Sequence, residues 1–476
     1  MIKVYNTLTR KLEEFNPINK GKIHWYHCGV TVYSRSHLGH ARNLIAFDTI
    51  RRYLEYRGYE VRYVQNFTDV DDKMIVRANE EGVSIIELAE KNIQDYYEDL
   101  DRLNVKRPSL APRALLHINH MIKDIQSLIE KGYAYVADNG DVYFDVRKWK
   151  EYGKLSKQKL ENILEHTEDT ENPNKRFPAD FALWKAKKEG EPSWPSPWGE
   201  GRPGWHIECS TMSMTYLGET FDIHSGGQDL IFPHHENEIA QSESLTGKPF
   251  ARYWLHNGFV KIDAEKMSKS IGNIINIRAI LKSYSPDSVR LYTLLTHYRQ
   301  PIDFTEEGLK QAEVTAERLF NTIVLLKSFT NDEEESSVLT EEDKTMIQSI
   351  ENARNKFIEA MDEDFNTSNA LAAVFELSRD VNDYLRKVEK INSMVVSKAN
   401  ELFDEFRLVL GLFSDIDQYI TIDKVKNLVN LLIDLRQEFR KSKNWKKSDK
   451  IRDTLKDSGI ILEDNPKRVL WKIVAK

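Results

Sequence analysis

The period of the apolar positions changes along this chain, and each change marks an element. Over residues 23–33 β-branched and aromatic side chains run almost unbroken, which predicts a buried strand. Leu44, Phe47, Ile50, Tyr53 and Leu54 then recur at helical spacing, so a helix is expected over 41–56, stopped by Gly58. Val61-Arg62-Tyr63-Val64 reads as the next strand. Strand, glycine-containing loop, helix and strand in this order predict a βαβ unit, hence an α/β fold with ligands at the carboxyl ends of the strands. Cys28 and the segment 37–40 fall at such an end.

Further along, Asn139-Gly140 stands between Ala134-Tyr135-Val136 and Val142-Tyr143-Phe144, which predicts a hairpin. The hairpin and a polar, proline-rich stretch through Pro203 interrupt the α/β pattern, which resumes at Phe221-Asp222-Ile223-His224, so the interval reads as an insertion. After about Thr305 helical periods dominate, over 306–326, 343–361, 370–385 and 395–410, with Gly411 as the stop of the last. From near Ile422 further helices lead to Gly459-Ile460-Ile461-Leu462-Glu463-Asp464 and Val469-Leu470-Trp471, a mixed α/β ending.

Composition narrows the class without naming it. The 476 residues are 40% hydrophobic and 30% charged, ordinary for a water-soluble chain of several domains. The start of the chain lacks a signal-peptide pattern and no apolar run is long enough for a bilayer, so a cytoplasmic protein without a membrane partner is expected. A net charge of −7 argues against a nucleic-acid partner, but its distribution argues the other way. From Glu438 onward twelve Lys or Arg stand against six Asp or Glu. The acidic stretch 331–337 has no apolar period and reads as a linker.

The candidate chemistry lies in four places. Cys28 and Cys209 are the only cysteines. His234 and Glu238 are four apart, on one face if the segment is helical, with His235 pointing elsewhere. Two thiols, an imidazole and a carboxylate suit zinc, although buried free cysteines would explain the thiols equally well. His37-Leu38-Gly39-His40, between strand and helix, places two imidazoles and a backbone-baring glycine where a triphosphate would meet a helix N-terminus. Lys266-Met267-Ser268-Lys269-Ser270 offers two lysines to a leaving pyrophosphate. Taken singly, each of these motifs has a bland reading as a loop or a basic turn.

Together, the histidine and lysine motifs in this order resemble the class I aminoacyl-tRNA synthetases. The segments 26–33, 68–73, 204–210, 221–224, 229–238 and 266–270 extend the resemblance, nearly end to end, to the cysteinyl-tRNA synthetase family. It implies a Rossmann-type nucleotide-binding catalytic domain (1–112 and 203–252) with an inserted connective domain (113–202). A stem-contact region carrying the lysine loop (253–312), a helical bundle (313–415) and a small mixed α/β anticodon-binding domain (416–476) would follow.

It also implies the site. Cys28, Cys209, His234 and Glu238 would hold one Zn²⁺, and His37, Gly39, His40, Lys266 and Lys269 would bind ATP with Mg²⁺. The two histidines and two lysines would be catalytic. Gly29, Thr68, Trp205, His224 and Asp229 would surround L-cysteine. Arg440, Lys443, Lys447 and Lys450 would meet phosphates of tRNA(Cys), with Trp445 either stacking on a base or packed in a core. A monomer is expected. The chain departs from the family pattern at Leu38, Ser34, Ser225 and Leu115, none of which is a proposed zinc or phosphate ligand.

Overall fold

The computed structural model describes residues 1–164, 172–262, 265–266, 275–329, 339–416, 423–464 and 469–473. They fall into two compact units, one of Met1–Phe47, Leu54–Ala279 and Tyr298–Asp303, the other of Asp48–Tyr53, Ile280–His297 and Phe304–Lys476.

The first unit is built on a four-stranded sheet in the order Ala251–Asn257, Phe221–Gly227, Lys22–Thr31, Glu60–Thr68, every neighbouring pair parallel. The unbroken apolar run of the first predicted strand thus has its physical reason, since a parallel strand is covered on both faces. Trp25, fully buried, packs edge-on against Phe47 at 6.0 Å and Tyr63 at 5.0 Å. Register holds from Lys22↔Glu60 to His27↔Gln65, then shifts before Val30↔Phe67. The irregularity falls on Cys28 and Gly29, where a side chain on Gly29 would overlap the Asn66 carbonyl. Glycine is required there for close backbone approach.

The first helix begins at Leu38 rather than near Ala41 and runs to Tyr56. Leu38 is buried, and its N–H donates to the Ile275 carbonyl, so Gly39 and His40 lie inside the first turn instead of in a loop. The predicted second strand also extends, over Glu60–Thr68, because Asn66 and Thr68 are polar yet buried.

The insertion forms an antiparallel sheet of four short strands, Ala134–Val136, Val142–Phe144, Phe181–Ala186 and Gly201–Pro203, in that order. The predicted hairpin pairs Ala134↔Phe144 around Gly140, whose φ is 87°. Phe144 stacks on Phe181 at 5.0 Å, and Trp184 is fully buried beside them.

In the second unit four long helices, Glu306–Lys327, Glu341–Asp362, Thr367–Lys387 and Ser393–Leu410, lie where the periodicity predicts them. Gly411 ends the last with φ 67°. A side chain there would strike the Arg290 guanidinium, which is buried, donates to the Leu410 carbonyl and pairs with Asp48. Helices Asp423–Lys441 and Trp445–Asp457 precede the antiparallel hairpin Ile460–Asp464 and Val469–Ile473. The predicted linker 331–337 lies outside the described residues. No helix among the described residues is long and apolar enough to cross a membrane.

Candidate metal and nucleotide site

Cys28 comes from the irregular strand, and Cys209 from the helix Trp205–Leu217 that Gly204 opens. His234 and Glu238 come from the turn Ile231–His235 and the helix Glu236–Thr246 that continues it. These four residues, remote in sequence, bring their ligand atoms within 4.8 Å of one another, all buried. Cys28 Sγ lies 3.7 Å from Cys209 Sγ and 3.4 Å from Glu238 Oε1, and His234 Nε2 lies 3.0 Å from the same oxygen. Tetrahedral zinc with Zn–S bonds of ~2.3 Å separates two sulfurs by about 3.8 Å, so the donor set has the right size as well as the right chemistry.

Charge agrees with geometry. Burial pushes the Cys209 thiol up, but the Cys28 hydrogen bond and His234 outweigh it and bring the thiol down to about 6. Burial likewise opposes the Glu238 carboxylate, yet His224 and His234 hold it at about 2. His234 loses by burial and gains more from Glu238 and Cys209, reaching about 10. Burial raises the Cys28 thiol, and the neighbouring anions raise it further. The set draws positive charge to its centre, as a site for a divalent cation must.

One expectation fails here. His235 does not point away: its Nε2 is 3.2 Å from Cys28 Sγ, and its Nδ1 meets His256 Nε2 at 2.8 Å. Residues three apart share a helix face as well as residues four apart, so His235 lies on the Glu238 side too, with its Nε2 3.9 Å from Glu238 Oε1. Cys28, His224, His235 and Glu238 form a second equally compact donor set that shares two members with the first. His224 is bonded through Nε2 to Glu238 Oε2 at 2.8 Å and stacks on Trp254 at 4.4 Å. Burial lowers His27 and His256 to about 3, so both are neutral hydrogen-bonding rings.

The other predicted residues are placed as follows. Trp205 is no core residue: it is 38% exposed and stacks on His234 at 4.1 Å. Thr68 ends its strand, buried, with its hydroxyl 3.3 Å from Asn66 Nδ2. The Gly29 N–H donates to Asn66 Oδ1 at 2.8 Å. Asp229 is exposed in the turn Gln228–Leu230. His37 and His40 stack at 3.8 Å, 17° from parallel. The Gly39 N–H donates to His37 Nδ1 at 3.1 Å and the His37 N–H to His40 Nδ1 at 3.3 Å. Each neutral ring therefore carries its proton on Nε2, as a donor. His37 also bridges to Asn276, which ties this turn to the chain leaving the lysine motif. Lys266 lies in the strand Glu265–Lys266, opposite Lys261; its side chain and all of Lys269 lie outside the described residues.

In the terminal region Trp445 is 56% exposed, which removes the core reading. Arg440 pairs with Asp464 at 3.0 Å, and Lys447 sits 5.1 Å over the Phe439 ring.

Sequence reasoning missed Asn66, His206, His235 and His256. His206 Nδ1 lies 2.9 Å from His234 Nδ1, and Asn66 Oδ1 lies 3.7 Å from Cys209 Sγ. The density of histidine near positions 206, 224, 234 and 256 was the available signal. The departures also resolve: Ser225 Oγ bridges Trp25 Nε1 and His27 Nδ1, each at 2.7 Å. At Leu115 the backbone N–H donates to Asp69 Oδ1 at 2.9 Å.

Comparison with known proteins gives a consistent result. Residues 14–314 match the model of the class I (C) tRNA synthetase catalytic domain, and residues 356–414 a DALR domain. A cysteine–tRNA ligase of Thermodesulfovibrio yellowstonii is 52% identical over 99% of both chains. One of Thermococcus onnurineus is 52% identical over 100% of this chain and 99% of its own. Among solved structures, a Mycobacterium tuberculosis methionyl-tRNA synthetase bound by methionyl-adenylate superposes with a TM-score of 0.61, 17% identity, and coverage of 82% of this chain and 90% of that one. An Agrobacterium radiobacter leucyl-tRNA synthetase superposes at 0.61 with 13% identity, covering 85% of each, so the fold is shared well beyond sequence likeness. With its whole length matched by cysteine–tRNA ligases and its catalytic domain by the class I (C) model, the chain belongs to the cysteine–tRNA ligase family of class I synthetases.

Proposed function

We propose that this chain activates L-cysteine with ATP and Mg²⁺ to cysteinyl-adenylate and then esterifies the 3′-terminal ribose of tRNA(Cys), working as a monomer in the cytoplasm. The observation that carries this reading is the meeting of Cys28, Cys209, His234 and Glu238 in one buried set. These four residues would hold zinc, which would supply a Lewis acid with affinity for a thiol and none comparable for a serine hydroxyl. A site built around such a bond discriminates by ~10⁴ or more without editing.

The chain's own residues do the rest. His37 and His40 donate from Nε2 to the triphosphate, and Gly39 lets the nucleotide approach the backbone. Lys266 and Lys269 stabilise the charge that develops on the departing pyrophosphate. The cysteine carboxylate is the nucleophile at the α-phosphate, so no protein nucleophile is needed. Trp205, stacked on His234, covers the amino-acid pocket, with Gly29, Thr68, His224 and Asp229 as its other walls. In the terminal domain Lys443, Lys447 and Lys450 meet phosphates, and the exposed Trp445 ring offers a stacking face for an unpaired base. Arg440, already paired with Asp464, contributes less. The test is cysteine-dependent ATP–pyrophosphate exchange beside serine, with zinc measured on the same sample. Exchange with cysteine alone at one zinc per chain is expected; no exchange in a folded, zinc-loaded sample overturns the reading.

A further inference from the structure

The backbone that carries His37 is held from outside its own helix. Residues 36–38 pair antiparallel with residues 275–277, with His37 opposite Asn276. The Leu38 N–H donates to the Ile275 carbonyl at 3.0 Å, and the Ile277 N–H to the Ser36 carbonyl at 3.3 Å. Whatever fixes residues 275–278 therefore fixes the turn of His37.

Arg278 is the side chain placed to do so. Its backbone N–H donates to Asn276 Oδ1 at 2.8 Å. Its Nε donates to Asp99 Oδ1 at 3.0 Å, and its Nη2 lies 2.8 Å from Asp95 Oδ1, 2.9 Å from Glu98 Oε2 and 3.2 Å from the Asp95 carbonyl. All three acids belong to the helix Ile85–Arg102, at spacings of three and four that share one face. The same face carries Asn92, whose Nδ2 donates to the Val32 carbonyl at 2.7 Å. Asp95 Oδ2 also accepts from Arg35 Nε at 2.8 Å, two residues before His37. One carboxylate thus joins the chain entering the His37 turn to the chain that pairs with it. The cluster is partly sunk: the Asp99 side chain is inaccessible and that of Asp95 is 13% exposed. Burial opposes the Asp95 charge, but Arg35 and Arg278 outweigh it and hold the carboxyl below its usual range. Exposed ion pairs contribute little stability, whereas a planar guanidinium bonded on two edges has one orientation.

We propose, resting on the activation reaction above, that Asp95 and Arg278 are positioning residues for His37 in the nucleotide site. Neither touches the substrate. Arg278, locked on the helix Ile85–Arg102, sets the backbone of residues 275–277, and that backbone sets where His37 Nε2 meets the triphosphate.

The test is ATP–pyrophosphate exchange by the full zinc-loaded chain, with kcat, KM for ATP and KM for cysteine separated and thermal unfolding verifying each variant. Arg278→Gln is expected to lower kcat by ~10–100-fold, the scale of a catalytic group displaced by about an ångström, with KM for cysteine within about twofold. Arg278→Lys, which keeps the charge without the fork, is expected to recover part of that loss. Asp95→Asn leaves Glu98 and Asp99 on Arg278, so it is expected to cost less, and it serves as the test if the glutamine variant does not fold. The double variant is expected to be no slower than Arg278→Gln alone, because both residues act through one pair. Full kcat in Arg278→Gln, or in Asp95→Asn where the glutamine variant is unfolded, overturns the assignment while the activation reading stands. So does an equal rise in KM for cysteine, the mark of a merely structural role, or losses that multiply in the double variant. A folded, zinc-loaded wild type without exchange overturns the activation reading and this proposal with it.

Discussion

In the helical stretch between Glu306 and Leu410 most of the interior is apolar side chain against apolar side chain, as in Phe357 on Phe406 at 4.4 Å with Leu371, Leu377 and Leu402 fully buried. Around Cys28 the interior is imidazole, thiol and carboxylate, with His224, His235 and Glu238 equally inaccessible. Both regions are cores, but they tolerate change differently. An apolar contact is one of many interchangeable ones, so losing it costs stability in proportion to volume. A buried polar group has specific partners, so losing one strands the others and alters chemistry before it alters the fold.

The largest expected separation comes from Cys209→Ser. It removes one of two thiols from the set and is expected to lower cysteine-dependent exchange by at least ~10³-fold, with loss of bound zinc. Thermal unfolding of the helical unit should not move. If it does, the two cores are coupled and the contrast fails. Phe357→Ala is the converse: about 3–5 kcal/mol of stability is lost with exchange per folded molecule unchanged. His235→Ala discriminates more finely. If its contact with Cys28 orients the donor set, zinc affinity measured against a competing chelator falls by ~10–100-fold. An unchanged affinity would make His235 ordinary packing.

How much of this was legible in sequence follows the same division. Helical periods found the four long helices to within a few residues, because each apolar position reports only which face is inward. The chemistry-bearing residues were legible as types: Cys28, Cys209, His234 and Glu238 do converge. Their partners were not. That Asn66 spans Gly29 and Cys209, or that His235 meets Cys28, depends on a strand irregularity and on contacts between remote segments that no periodicity encodes. The start of the first helix was read late for a related reason. Leu38 is anchored by Ile275, over two hundred residues away, and local pattern is blind to that contact.

The smallest effect tests the helical region at its edge. Thr340 caps the helix Glu341–Asp362 by accepting from the Asp343 N–H at 3.1 Å, while Asp343 Oδ2 accepts from the Thr340 N–H at 2.9 Å. Thr340→Ala removes the first bond and leaves the second. Asp343 also stays fixed by the Tyr384 hydroxyl at 2.5 Å, so the loss should be only about 1 kcal/mol. Acid probes the same corner. Burial opposes the Asp343 charge, but the Tyr384 hydroxyl and the Thr340 N–H outweigh it and hold the carboxyl below its usual range. Its contribution is therefore complete above the ordinary carboxylate pKa of about 4 and fades as pH falls through the lower folded value. Unfolding of the wild type and of Tyr384→Phe, compared between pH 7 and pH 3, should converge toward the acid end. A constant gap would mean that the hydroxyl stabilises the helix without acting on the carboxylate.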